Sequence, residues 1–481
     1  MNYEITIGGV KAKAHTARVS AMPFNRHWPG YQRSLDQTER APFIFFELDS
    51  PVDVCVTANR DFNKAVVRPL PLGIVPTSKG RKIFFTIPGP GQYTLELDGL
   101  HGALHIFANP IKQFEVDAGD PYTIYFGPGT YDAGTIELKS GQTLYIDADA
   151  VVYGQIRATN VTNIRICGNG ILDHSRIEAD EIGITRTQTE NSELIDPNRP
   201  CPVLLYYCQN VEIEGLVIRD PCFVSVRSVA CENVTITNTK IIGCWRYNAA
   251  GIDFCNSLHC RVRNCFVRTF DDSMCLKGFY FLYQGEMFHN HRVYTVLDDV
   301  VFENCVVWNE WGKALEVGVD LCAMEVRNSG YRNCYVIHCG GTAVMDLSNV
   351  DYAEVHDILF ENIHVEYDDV IQQPTMQVSD NHEYVANLNS TYMPYLFLIS
   401  IAFTHYSHGG VVRGHIHDIA FRNIQVYASR IPPSLAEGYN DFHEVRSVLF
   451  DNISLNGKKI EHLADLNLEL GRYVQDVECR S

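Results

Sequence analysis

The chain has 481 residues, of which 46% are hydrophobic and 20% charged; this is enough for one large domain or two, and excludes a mini-protein held together by staples. Lysine plus arginine number 39 against 58 aspartate plus glutamate, a formal net charge of −19, and no basic run interrupts the excess, which argues against nucleic-acid and anionic-membrane partners. No apolar run has membrane-spanning length, and the 16 cysteines include no Cys-x-x-Cys, so free buried thiols are expected in place of a metal site or a secreted disulfide scaffold.

The first residues, Met1-Asn-Tyr-Glu-Ile-Thr-Ile, carry an acidic side chain and too short an apolar stretch for a signal peptide. A cytoplasmic location is therefore expected, with secretion the alternative if a leader has been removed. Residues 1–115 contain short alternating or clustered apolar segments at 43–48, 52–57, 82–87 and 92–97, separated by proline- and glycine-rich turns. That pattern predicts a small antiparallel β-sandwich.

Residues 116–481 follow a different rule, in which alternating aliphatic residues lead to an asparagine and then another short aliphatic pair. The first coils fall at 141–154 and 163–173. The clearest asparagines are Asn238, Asn264, Asn304, Asn333, Asn362, Asn423 and Asn452, separated by 26, 40, 29, 29, 61 and 29 residues. A period in the high twenties built of short strands predicts an all-β solenoid, a right-handed parallel β-helix. The asparagines should form a ladder at one bend, and Cys265, Cys305 and Cys334, each following one, should stack inside as small hydrophobes. Insertions at about 174–200, 278–297 and 368–415 break the repeat and should gather on the working face.

Four coils share one strand pattern, Gly251-Ile-Asp253-Phe, Ser273-Met-Cys275-Leu, Ala314-Leu-Glu316-Val and Val344-Met-Asp346-Leu, preceded by Phe223-Val-Ser225-Val. Alternation buries the aliphatic residues and turns the residue between them outward. One outward row should thus read Ser225, Asp253, Cys275, Glu316, Asp346, and a second Arg227, Cys255, Lys277, Gly318, Ser348. With Asp271-Asp272 at the start of one strand, this is a concentrated polar groove. Stacked carboxylates repel, so a purely structural ladder does not account for it well. Closely spaced carboxylates are what cleavage of a glycosidic bond uses, one protonated to donate to the leaving oxygen and one ionised to activate water. Trp245, Tyr247, Trp308 and Trp311, with Phe279, Tyr280 and Tyr283 at the first inserted loop, could stack on sugar rings or cap the core.

Over roughly 125–460 the sequence resembles glycoside hydrolase family 28, the polygalacturonases, and its clan relative family 49, the dextranases and isopullulanases; a small β-domain ahead of the helix is similar to the family 49 arrangement. Asn248-Ala-Ala250-Gly-Ile-Asp253 stands where family 28 has Asn-Thr-Asp-Gly-x-Asp, and Phe270-Asp271-Asp272-Ser-Met-Cys-Leu-Lys277 where it has Gly-Asp-Asp-Cys-x-x-x-Lys. The resemblance implies Asp271 as general acid and Asp272 as a water-activating carboxylate. The family's third aspartate falls on Ala250, so Asp253 or Glu316 would have to share the base role; the Gly-His-Gly motif reads Gly312-Lys313-Ala314, and the Arg-x-Lys clamp falls on Ala343-Val-Met345 and is absent. The expectation is an inverting glycosidase of a poly- or oligosaccharide without cofactor or metal. Its catalytic residues would be Asp271, Asp272, Asp253 and Glu316, and its substrate contacts Asn248, Lys277, Lys313, Trp308, Trp311, Arg227 and Asp346. A catalytically altered carbohydrate-binding protein and a polysaccharide lyase with Lys313 or Lys277 as base are the alternatives, and the oligomeric state is left open.

Overall fold

The computed structural model describes residues 3–21, 26–27, 35, 38–177, 200–279, 282–283, 286–287, 296–369, 371, 375–376, 389–407 and 410–481. Most of the three expected insertions lies outside these residues, as does Tyr280, and nothing is described of the Tyr283 side chain. Among the described residues there is no α-helix.

Residues 3–110 form two five-stranded sheets packed face to face. Their alternating residues, such as Val54, Val56, Ile83, Phe85, Leu95 and Ile106, point into one shared apolar core, as period-2 segments with one wet face must. The pairing is antiparallel except that Leu104–Pro110 runs parallel to Thr38–Leu48, a mixed sheet where the sequence suggested a purely antiparallel one.

From Thr123 onward the chain winds as a parallel β-helix. Its back sheet has 12 strands in sequential order from Thr123–Phe126 to Val474–Arg480. A second face stacks Ile171–Asp173, Val217–Arg219, Lys240–Ile242, Phe266–Thr269, Val306–Asn309 and Tyr335–Cys339. A third stacks Val203–Tyr206, Val226–Val229, Ile252–Cys255, Met274–Gly278, Lys313–Leu321, Ala343–Asn349 and Tyr395–Ile401. One continuous apolar column runs through the middle, because each coil can cover its inward residues only with the coils above and below.

All seven asparagines of the repeat adopt positive φ, between 49° and 56°, the left-handed bend that asparagine tolerates better than most side chains. In the later coils they form the expected ladder: Asn362, Asn423 and Asn452 each donate Nδ2–H to the Oδ1 of the asparagine one coil earlier, at 2.7–2.9 Å. The 16 cysteines are free, and Cys265, Cys305 and Cys334 lie in the central column. Ten of the 12 back-sheet strands carry a second positive-φ column within their first half, Asn163, Asn210, Asn233, His259, Asp299, Asn328, Asp357, Asp418, Ser447 and Asp476. The mixture of residue types in that column hides it from a search for repeated asparagine.

The N-terminal domain lies on the second face. Phe43 and Phe107 meet Ile242, Phe266, Val306 and Trp308 in a single apolar cluster, ringed by buried ion pairs such as Arg268 with Glu310 and His338 with Glu96.

Candidate active site

The register of the third face corrects both expected rows at their first member, with Val229 in place of Arg227 opposite Cys255. Arg227, not Ser225, stands opposite Asp253, and the row continues through Cys275, Glu316 and Asp346. The strand begins at Val226, whose side chain enters the core, while Ser225 precedes it and uses its hydroxyl on the Ala250 carbonyl at 2.8 Å. Arg227 therefore donates to Asp253 Oδ2 through Nη2 at 2.8 Å and Nε at 3.2 Å. The pair is buried, with Asp253 1% exposed, and the guanidinium lies 5.1 Å from the Phe223 ring centre and 5.6 Å from that of Phe279. Ala250 joins Phe223 and Phe279 in the apolar cluster over this pair, so the position that would carry the third family aspartate is a hydrophobic wall.

Asp271 and Asp272 occupy the turn between Phe266–Thr269 and Met274–Gly278, half-buried at the groove surface. Several backbone and side-chain groups hold that turn from beneath. Asn309 Nδ2 donates to the Asp271 carbonyl at 2.8 Å and to the Lys313 carbonyl at 3.1 Å, and Thr269 Oγ1 donates to the Asp271 carbonyl at 2.6 Å. Gly312 of the next coil passes so close that a Cβ there would lie 2.5 Å from the Asp272 nitrogen. The Lys313 amide donates to Asp272 Oδ1 at 3.0 Å and the Asp272 amide to Asp271 Oδ1 at 2.9 Å.

Two lysines bind the carboxylates together. Lys277 Nζ is 3.0 Å from Glu316 Oε2, 3.4 Å from Asp272 Oδ2 and 2.8 Å from the Gly318 carbonyl. Lys313 Nζ is 2.7 Å from Glu316 Oε1 and 3.9 Å from Asp272 Oδ1. Asp346, fully buried, accepts from the Ser348 hydroxyl at 2.7 Å, and its other oxygen has no partner.

This geometry splits the acidities. Burial, followed by the charge of Asp272, pushes Asp271 up to about 7. Burial also works against the charge on Asp272, but Lys313 and Lys277 outweigh it and hold that carboxyl well below the usual range. Glu316 rises to about 8 through burial and the neighbouring Asp272, and Asp346 to about 6, chiefly through burial. At Lys277 and Lys313 burial favours the neutral amine, yet the adjoining carboxylates prevail and both stay well above the ordinary lysine range. One carboxyl of the adjacent pair thus keeps its proton near neutrality while the other stays ionised.

Asp272, Cys275 and Glu316 bring one donor atom each within 4.8 Å of one another. Two ammonium groups already neutralise these carboxylates, and burial pushes the Cys275 thiol far up. A cation would have to displace the lysines.

The aromatic residues divide. Trp311 stacks on Phe270 at 5.7 Å and meets Tyr247 at 5.8 Å beside the Asp271 turn, and Asn248 bends at positive φ in the adjoining loop, φ 58°. Trp308 is not in the groove. It is 1% exposed beneath the N-terminal domain, with the Arg268 guanidinium 3.9 Å from its ring centre, and so cannot stack on a sugar. Its strand belongs to the second face, whose outer side the N-terminal domain covers. Sequence reasoning passed over Asn309 and Thr269 and met Gly312 only as part of the Gly312-Lys313-Ala314 motif; the need for a glycine at so tight an approach is visible only once the coils are stacked.

Residues 123–280 match the family model for "Glycosyl hydrolases family 28", a segment that contains Asp253, Asp271, Asp272 and Lys277. No curated protein matches the chain. Among solved structures, Dex49A from Penicillium minioluteum is similar with a TM-score of 0.61 at 12% identity, over 99% of this chain and 93% of that one. A hyperthermoactive exopolygalacturonase from Thermotoga maritima is similar with a TM-score of 0.51 at 15% identity, over 74% of this chain and 84% of that one. Structural likeness at such identities is a likeness of fold, the N-terminal domain included in the first case. The segment that matches this model carries the paired carboxylates of the groove, and the protein is a glycosidase built on a parallel β-helix.

Proposed function

We propose that the protein hydrolyses a poly- or oligosaccharide with inversion, Asp271 donating a proton to the leaving glycosidic oxygen and Asp272 deprotonating the attacking water. The observation that carries this reading is the opposite displacement of two adjacent carboxyls, Asp271 up to about 7 and Asp272 well down, which matches an acid and a base working at one pH. Glu316 holds Lys277 at 3.0 Å and Lys313 at 2.7 Å beside Asp272, and so serves with the two lysines to keep Asp272 charged. Asp253 is tied to Arg227 and belongs to the wall. Neither takes the place of the aspartate lost at Ala250; Asp272 acts as base alone.

Lys277, Lys313 and Arg227 each face a carboxylate of the protein, which supports a neutral sugar over a uronate at the cleavage point. The lysines, held protonated, are poor bases, which weighs against a lyase. Ala250 favours one second reading, a binder that has lost turnover. Reducing-sugar release over dextran, pullulan, arabinan, polygalacturonate and their oligomers, with Asp271→Asn beside wild type, separates these. Release that vanishes in the variant, with the inverted anomer appearing first by NMR, is the expected result. Binding without release would establish the binder, an ultraviolet-absorbing unsaturated product the lyase, and first appearance of the retained anomer would overturn inversion.

A further inference from the structure

A second groove lies where the N-terminal domain meets the first coils, about 590 Å³ in volume. It is four back-sheet strands before the coil of Asp271, on the order of 19 Å along the axis, and on a different side of the helix.

One wall is Phe45 and His15, stacked at 5.1 Å with planes 16° apart. The opposite wall is Phe114, edge-on to Tyr145 at 6.1 Å, with Tyr125 stacked behind Tyr145 at 5.1 Å. Burial and the charge of Lys13 bring His15 down to about 4, so its imidazole is neutral at physiological pH, able both to donate and to accept. No hydrogen bond from a described residue engages it. The lining carries two basic side chains, Lys13 and Lys112, and two acidic ones, Glu47 and Asp149; Lys13 lies 3.1 Å from Asp149, Lys112 2.5 Å from Glu214 outside the lining, and Glu47 accepts from Asn169 at 3.2 Å. A groove with aromatic walls, amides and carboxylates at its rim and no net charge suits a ligand with apolar C–H faces and many hydroxyls. Nothing in it selects an anion or a cation.

We infer that this groove is a second, non-catalytic binding site for a neutral glycan chain. The inference rests on the protein being a glycosidase, since a site of this kind would keep a polymer near the catalytic groove and raise its local concentration.

Native electrophoresis through gels containing dextran or pullulan tests it without turnover, using Asp271→Asn protein so that the gel is not digested. Retardation is expected, and Phe114→Ala or Tyr145→Ala should weaken it about tenfold, while Phe114→Tyr keeps it. In the otherwise wild-type enzyme the same alanine variants should leave reducing-sugar release from short oligosaccharides unchanged, which also verifies that they fold. Absence of retardation in both gels, or undiminished retardation in both alanine variants, would overturn the second site. Neither result bears on whether Asp271 and Asp272 cleave a sugar, which the release assay decides separately.

Discussion

Two carboxyl groups joined by one peptide bond differ here because their surroundings differ. Asp271 is desolvated beside a negative neighbour, whereas Asp272 receives the Lys313 amide and two ammonium groups. The proposed acid must carry its proton, so kcat/KM should fall as pH rises through about 7, whereas the acid-side loss should come only below the usual carboxylate range, where Asp272 becomes protonated. A pH–rate profile in which activity instead grows above pH 7 would remove Asp271 from the acid role. Asp253 gives a contrasting case. Asp253→Asn leaves the buried Arg227 guanidinium without its counter-charge, which should cost roughly 3–5 kcal/mol of stability. Chemical denaturation should register that loss while kcat in the surviving folded enzyme changes less than about tenfold; a catalytic Asp253 would show the reverse. The Asp-Asp pair, Lys277, Lys313 and Glu316 were all legible in the sequence, since strand alternation decides which side chains leave the core. Whether an outward side chain meets solvent, a partner or another domain is a different question, and there Asp253 and Trp308 departed from expectation.

The Asp271–Asp272 turn is held by the coil after it. Gly312 lies against the Asp271–Asp272 peptide, and Asn309 ties the Asp271 and Lys313 carbonyls together. Adding a methyl group at 312 must push one turn away from the other, so Gly312→Ala should lower kcat about 10–100-fold with only a modest change in the unfolding midpoint. Unaltered kcat would mean the turn relaxes without moving the carboxyls. The register of neighbouring strands has the same local logic. The expected alignment of Ser225 with Asp253 failed by two residues because Val224 and Val226 both look like core residues, and only Val226 enters the central column. An alternating strand allows a shift of two without exchanging its faces, so pattern alone does not choose between the two alignments.

The N-terminal domain is anchored to the helix by buried charge as well as by apolar contact. Glu96 accepts from His338 at 2.5 Å and from Arg68 at 2.9 Å, and His338 also reaches Asp368 at 2.9 Å. Burial opposes charge on His338, but Asp368 and Glu96 prevail and raise it to about 9. Burial likewise opposes charge on Glu96, and His338 with Arg68 lowers it to about 2. The raised histidine stabilises the fold fully below its unfolded value near 6.5 and loses that contribution as pH climbs through about 9. The lowered glutamate contributes above its unfolded value near 4.5 and loses it as pH falls toward 2. Melting temperature should therefore peak between about pH 4.5 and 6.5, and Glu96→Gln should lower and flatten that peak. An unchanged profile in the variant would mean that the docked domains do not depend on this network.

Read residue by residue, the chain already contained its solenoid. The period in the high twenties, the asparagine bend and the alternation of aliphatic and polar residues are interactions between coils that repeat in order, so their signal recurs along the sequence. The Asp271-Asp272 pair was visible for the same reason, as a departure from that repeat. Contacts made only once, between particular side chains of neighbouring coils or between the two domains, have no such periodicity. The burial of Trp308 under residues before 110, the pairing of Arg227 with Asp253, and the approach of Gly312 to the Asp271–Asp272 turn depend on which surfaces meet once the coils are stacked and the first domain has docked. These contacts, through burial and neighbouring charge, set the acidities that separate one carboxyl from the next.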